Sequence, residues 1–177
     1  MKRTLLTFML LAMVSSIYAL TPKILFYGYV EEGNIERMFA KNETPPKLNN
    51  VQVTVTQGNE EIKVLKNRKT GFYSVILETG ISYQVKFEKE GFITKIFEID
   101  GSTIPDGDFD EAFKMFTDIT LFPRTNAEEE HTLWSSPVAK CSFQHETKRL
   151  IWDMRYARIA FDHFLRVAGV KDNFTVN

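Results

Sequence analysis

The sequence predicts a mainly β fold, a seven-stranded antiparallel sandwich followed by one C-terminal α-helix. Ile81, Tyr83, Val85 and Phe87 alternate with Ser82, Gln84, Lys86 and Glu88, and Val51, Val53 and Val55 alternate with Gln52, Thr54 and Thr56, so each segment has one dry and one wet face. Turn-forming residues punctuate these segments at Asn49 and Asn50, Gly58 and Asn59, Asn67 to Gly71, Gly80 and Gly91. Near the C-terminus the apolar spacing changes to three and four residues, the period of a helix with one buried face. Short strands joined by tight turns, each with a wet face, describe an antiparallel sandwich better than a parallel sheet with crossover helices.

Residues 1–19 stand apart. Lys2 and Arg3 precede an apolar run from Leu5 to Val14, and Ser15, Ser16 and Ala19 follow, which is the layout of a secretory signal peptide cleaved after Ala19. The run is short of the roughly 20 residues of a membrane span. With Lys2 and Arg3 removed, 20 basic residues face 23 acidic ones. The sandwich then occupies residues 20–123. Its strands are expected at Ile24 to Val30, Val51 to Val55, Ile62 to Leu65, Tyr73 to Leu77, Ile81 to Phe87, Phe92 to Ile99 and Thr117 to Phe122. Glu31 to Asn50, with Pro45 and Pro46, reads as a long loop with a helical turn near Ile35 to Phe39, and Gly101 to Glu111 as a second excursion.

Residues 124–137 read as a linker and 138–177 as an extension, with a strand at Val138 to Phe143 and a helix from Met154 to Ala168. Asp153 is placed to cap the helix and Gly169 to end it. Met154, Ala157, Phe161, Phe164 and Ala168 form one stripe, broadened by Tyr156, Ile159 and Ala160 beside it, and Arg155, Arg158, Asp162 and Arg166 form the opposite one. A helix of this length is marginal alone, so its apolar stripe must pack on the sandwich or on a partner protein. Trp152, Arg155 and Tyr156 are the candidate partner-binding residues, since aromatic and arginine side chains are favoured interface anchors.

Composition narrows the chemistry. The 22 basic residues nearly balance the 23 acidic ones, so bulk charge supplies no nucleic-acid surface. Cys141 is the only cysteine, which excludes an intramolecular disulfide; along a strand His145 would lie about 13 Å from it, too far for a nucleophile and its base. His131, His145 and His163 are scattered and offer no zinc spacing. Asp106, Asp108 and Asp110, with Glu111, form a weak calcium candidate; position twelve of such a loop is Thr117, where a glutamate is needed. No cofactor is expected. Asn42 and Asn173 lie in glycosylation sequons, which matter only in a eukaryotic secretory route.

Gly28-Tyr29-Val30, Asn50-Val51-Gln52-Val53, Thr70-Gly71-Phe72-Tyr73 and Lys89-Glu90-Gly91-Phe92 together resemble the carboxypeptidase regulatory-like domain, a transthyretin-like (prealbumin-like) seven-stranded sandwich. The resemblance covers Tyr27 to Pro123. Pro137, the strand after it, Asp153 and Tyr156 further resemble extensions beside this domain in exported proteins of Gram-negative bacteria. The resemblance implies no catalytic residues. It implies a non-enzymatic accessory or structural subunit of an envelope assembly, such as secretion or surface-motility machinery. On that reading the protein is periplasmic or associated with the outer membrane, binds other envelope subunits rather than nucleic acid, and is not an integral membrane protein once its signal is cleaved. The alternatives are a carbohydrate-binding sandwich, given 13% aromatic residues, and a small hydrolase, for which no acid-base pair is found.

Overall fold

The computed structural model describes residues 23–34, 44–105, 112–124 and 136–167. The fold is mainly β: over these residues ten strands form two sheets, and one helix follows. The first sheet centres on β1 (Lys23–Glu32), which pairs antiparallel with β4 (Phe72–Glu78) and parallel with β7 (Phe113–Phe116) and β8 (Ile119–Leu121). The second contains β2 (Gln52–Gln57), β3 (Glu60–Lys66), β5 (Ser82–Glu88), β6 (Lys95–Asp100), β9 (Ala139–Gln144) and β10 (Arg149–Trp152), in the order β10-β9-β6-β5-β2-β3. Helix α1 spans Met154–Val167.

The alternating rows face where their pattern places them. Val53, Val55, Val85 and Phe87 are fully buried, as are Ile24, Phe26 and Val30 of β1. At the centre Phe26 meets Tyr73 and Phe87 edge-on, with ring centroids 5.3 and 6.3 Å apart, and Phe97 meets Phe87 at 5.7 Å. Such edge-to-face contacts add roughly 0.5–1.5 kcal/mol each to the burial itself.

Three features differ from the sequence expectation. Both sheets are mixed rather than antiparallel, because β7 and β8 run parallel to β1, and β9 runs parallel to β6. A parallel pairing needs a long return connection, and the chain has room for one in each case: residues 33–112 separate β1 from β7, and residues 101–138 separate β6 from β9. The expected strand at Thr117 to Phe122 is really the second half of a strand that begins at Phe113 and breaks at Thr117 and Asp118. Finally, β9 and β10 complete the second sheet instead of standing outside it, so Trp152 belongs to the core, with its ring 6.0 Å from Phe26 and 5.8 Å from Phe97. The β9–β10 turn contains no glycine; Lys148 takes the left-handed conformation instead, at φ 52°.

The break at Thr117 has a local cause. Residues on either side keep one register against β1, Tyr27 opposite Phe116 and Val30 opposite Ile119. Between them the Thr117 carbonyl swings over Gly28, where a Cβ would lie 2.0 Å from its oxygen. Tyr73, paired with Gly28 across β4, donates its hydroxyl to that carbonyl at 2.7 Å. Burial, helped by the Asp118 charge, pushes the Tyr73 hydroxyl far above its ordinary range, so it remains a donor. Thr117 N–H donates to the Tyr27 carbonyl at 2.9 Å, and Asp118 Oδ1 accepts Tyr29 N–H at 2.9 Å.

Asn67 secures the opposite end. Its buried amide accepts Val51 N–H at 2.9 Å and donates to the carbonyls of Leu48 and Gly71 at 2.7 and 3.0 Å. Gly71 holds φ at 83°, which turns its carbonyl toward both Asn67 and Val30 N–H. The helical turn expected at Ile35 to Phe39 and the signal segment lie outside the described residues.

Gly28→Ala should destabilise the protein by about 1–3 kcal/mol or more, because the obstructing atom is backbone and cannot rotate away. Phe87→Ala should cost about 3–5 kcal/mol as a core truncation. Denaturant melts measure both, and a loss under about 1 kcal/mol for either variant would contradict the packing described.

Candidate functional site

Helix α1 is seated by its first turn. Asp153 caps it, with Oδ1 accepting Tyr156 N–H at 2.9 Å, and Asp153 N–H donates to the Lys140 carbonyl at 2.8 Å. Tyr156 donates its hydroxyl to the Pro137 carbonyl at 2.9 Å, and the Lys140 ammonium lies 5.1 Å from its ring centre. The face turned to the sandwich is therefore Tyr156, Ala157, Ala160 and Phe164, rotated from the stripe read in the sequence. Met154 and Phe161 of that stripe are exposed instead, Met154 at 72%. Tyr156 sets this rotation because a half-buried phenol needs a hydrogen-bond partner, and Pro137 provides it.

Of the three candidate partner-binding residues, Arg155 is exposed, Tyr156 is half-buried and engaged as described, and Trp152 is half-buried with its ring among the core aromatics. Asp106, Asp108, Asp110 and Glu111 lie outside the described residues, as does His131. Cys141 is buried with its sulfur 3.9 Å from that of Met115, and burial, followed by the Asp100 charge, pushes its thiol up to about 12. A thiol in that state packs as an apolar group. The His145 ring stands edge-on against Phe143 at 5.2 Å.

Two surfaces emerge that the sequence reading did not single out. The first is a cleft of about 550 Å³ between α1, the start of β9, β6 and β8. Its walls include Phe97, Ile119, Val138, Ala157, Ile159 and Phe164, with Lys95, Asp118, Tyr156 and His163 as the titratable members. Lys95 pairs with Phe87 across β5 and shares the inward row of Phe97 and Ile99. It is half-buried, its ammonium lies 5.0 Å from the Phe122 ring centre, and it has no hydrogen bond or ion pair among the described residues. Loss of solvent draws its amine down to about 8. Phe122 is held there because Ile93 N–H donates to its carbonyl at 2.8 Å, and its ring stacks obliquely on Phe164 at 4.8 Å. The signal was present in the sequence: Lys95, Phe97 and Ile99 alternate with Ile96, Glu98 and Asp100, and a lysine interrupts the apolar row.

The second is the outer face of the first sheet. A strand with one wet face should alternate, yet Ile24 to Val30 contains no charged residue, the pattern of a strand covered on both sides. Leu25, Tyr27 and Tyr29 point outward. Leu25 lies opposite Ile76, Tyr29 opposite Phe72, and Tyr27 opposite Phe116, so the patch is continuous across three strands. Ile76 and Phe116 are 58% and 57% exposed. The Tyr27–Phe116 and Tyr29–Phe72 pairs are edge-to-face, with Lys47 4.5 Å from the Tyr29 ring centre and Arg68 5.2 Å from that of Phe72. By contrast the open edge of the second sheet, β3, carries Glu60, Glu61, Lys63 and Lys66 and is offset by a bulge opposite Val55 and Thr56, features that discourage strand addition. No helix among the described residues is long and apolar enough to cross a membrane, and none of their histidine, cysteine and acidic side chains gather in threes as a metal site would require.

An amine drawn down from 10.5 to about 8 in the folded state makes the unfolded chain the stronger proton binder between those values, so folding stability rises with pH across that window. Lys95→Met should therefore melt higher than the natural protein below pH 8, and the gap should narrow as pH rises toward 10.5. Thermal melts of both proteins across this range check it; a constant gap would mean that the Lys95 amine is solvated.

No protein-family model matches the chain, and no curated protein matches it. Among solved structures it is similar to the Bacillus anthracis TIE protein, at 14% identity and a TM-score of 0.37 over 56% of this chain and 18% of that one. It is also similar to 3-chlorocatechol 1,2-dioxygenase from Rhodococcus opacus 1CP, at 11% identity and a TM-score of 0.38 over 58% of this chain and 60% of that one. A third similarity is to catechol 1,2-dioxygenase from Acinetobacter sp. ADP1, at 9% identity and a TM-score of 0.39 over 63% of this chain and 56% of that one. The chain thus spans less than two thirds of the length of each of these proteins.

Proposed function

We propose that the protein is a non-enzymatic, exported interaction module, an accessory or structural subunit of a bacterial envelope assembly built on a transthyretin-like, carboxypeptidase regulatory-like sandwich. The observation that carries the reading is the apolar outer face of the first sheet. Ile76, Leu25, Tyr27 and Phe116 occupy positions that a free-standing sandwich fills with polar residues. Aromatic side chains concentrated on one rigid sheet are what a protein interface uses as anchors. The basic start, apolar run and Ala19 at the head of the sequence support export.

The carbohydrate-binding alternative draws on the same aromatics. Sugar stacking requires open ring faces, whereas Lys47 and Arg68 already lie over Tyr29 and Phe72. That occupancy favours a protein partner.

Ile76→Lys with Phe116→Glu should abolish co-purification of the partner from the protein's own envelope after crosslinking, while the melting temperature changes by no more than a few degrees. Retention of every partner by a folded double variant would move the docking surface elsewhere, with Arg155 and its helix next in line. The mature chain should begin at Leu20, and mass spectrometry finding Met1 intact in the native protein would contradict export with cleavage.

A further inference from the structure

We infer that the cleft beneath α1 is a binding site for a small amphipathic carboxylate, an acid with an apolar body, whose carboxylate pairs with the Lys95 ammonium. This inference is independent of the proposed interaction surface, which lies on the outer face of the first sheet.

The inward row of β6 is inconsistent with the core around it. Strand β6 turns Lys95, Phe97 and Ile99 to the same face, and the last two are buried among apolar neighbours. A lysine in that row is costly unless a counter-charge meets it. None does: Lys95 has a ring contact with Phe122 and no ion pair or hydrogen bond among the described residues. Asp118 is the acidic residue on the same wall, yet its Oδ1 is occupied by Tyr29 N–H at 2.9 Å, and it forms no ion pair with Lys95. The amine is held at about 8 by desolvation alone, which agrees with an absent partner.

The space around it has the remaining properties of a ligand site. At about 550 Å³ it falls within the roughly 300–1,000 Å³ typical of small-molecule pockets. Ile119, Val138, Ala157, Ile159 and Phe164 make most of the wall apolar, and Lys95 supplies a cation without an ion pair among the described residues, beside the polar side chains of Thr120, Ser136 and His163. One cation on an apolar wall selects one negative charge on an apolar body. A polyanion would bring more charge than the one Lys95 ammonium matches, and a neutral hydrocarbon would leave that ammonium unpaired.

Dodecanoate and dodecanol, each below its aggregation limit, provide the test, because they share a chain and differ in the charged head. Titration should show dodecanoate binding about tenfold or more tightly than dodecanol, the scale of a hydrogen bond to a charged group. Backbone amide shifts should move at Ile119, Val138 and Ala157. Lys95→Met should remain folded, retain dodecanol and lose the preference for the acid. Equal affinity for the two probes, no binding of either, a preference that survives Lys95→Met, or shifts confined to the outer face of the first sheet would each overturn the assignment.

Discussion

The hydrogen bond from the Tyr73 hydroxyl to the Thr117 carbonyl, made across the bare Cα of Gly28, fixes the path of everything that follows it in the first sheet. Without a side chain at Gly28, strand β4 and the β7–β8 segment meet through one buried bond. The carbonyl leaves the ladder of β1 at that point, and the Asp118 carboxylate takes over by accepting Tyr29 N–H. Strand β8 then regains the register and ends at Leu121, just before Phe122, whose ring is the floor under Lys95. A single glycine thus connects the core of the sandwich to the shape of the cleft.

Two groups of side chains break the rule that sandwich strands are dry inside and wet outside. On β1 the outward positions Leu25, Tyr27 and Tyr29 are apolar or aromatic, and on β6 the inward position Lys95 is charged. Neither helps the isolated chain: the first leaves apolar surface in water, and the second withdraws an ammonium from it. Side chains that oppose stability at defined positions of an otherwise consistent fold are where function is sought.

The strand pattern was legible because period two is strong wherever one face is buried. The Val51–Val55 and Ile81–Phe87 rows needed no tertiary information. The short strands were less legible. Strand β10 has four residues after a turn without glycine, and its Trp152 looks like a helix approach until β9 supplies its partner. The break between β7 and β8 depends on Gly28, which lies 89 residues from Thr117, and no local pattern reports that contact. The phase of α1 turned on one hydroxyl finding the Pro137 carbonyl, a partner 19 residues away. By contrast Lys95 and the apolar outer row of β1 were both visible as departures from alternation, and their meaning required knowing which face of each strand is covered.

The two surfaces also share a length of chain. Phe116 faces outward beside Tyr27, whereas Ile119, three residues on, lines the cleft, and Thr117 and Asp118 between them are held by Tyr73, Tyr27 and Tyr29. A load on Phe116 therefore reaches the cleft only through a backbone anchored at three points. Because the Tyr73 hydroxyl lies far from ionisation, its anchor persists across the pH range in which Lys95 titrates. The charge state of the cleft can change while the sheet that presents Tyr27 and Phe116 keeps its form, which lets one small sandwich hold a titrating lysine on its inner side and a rigid aromatic face on its outer side.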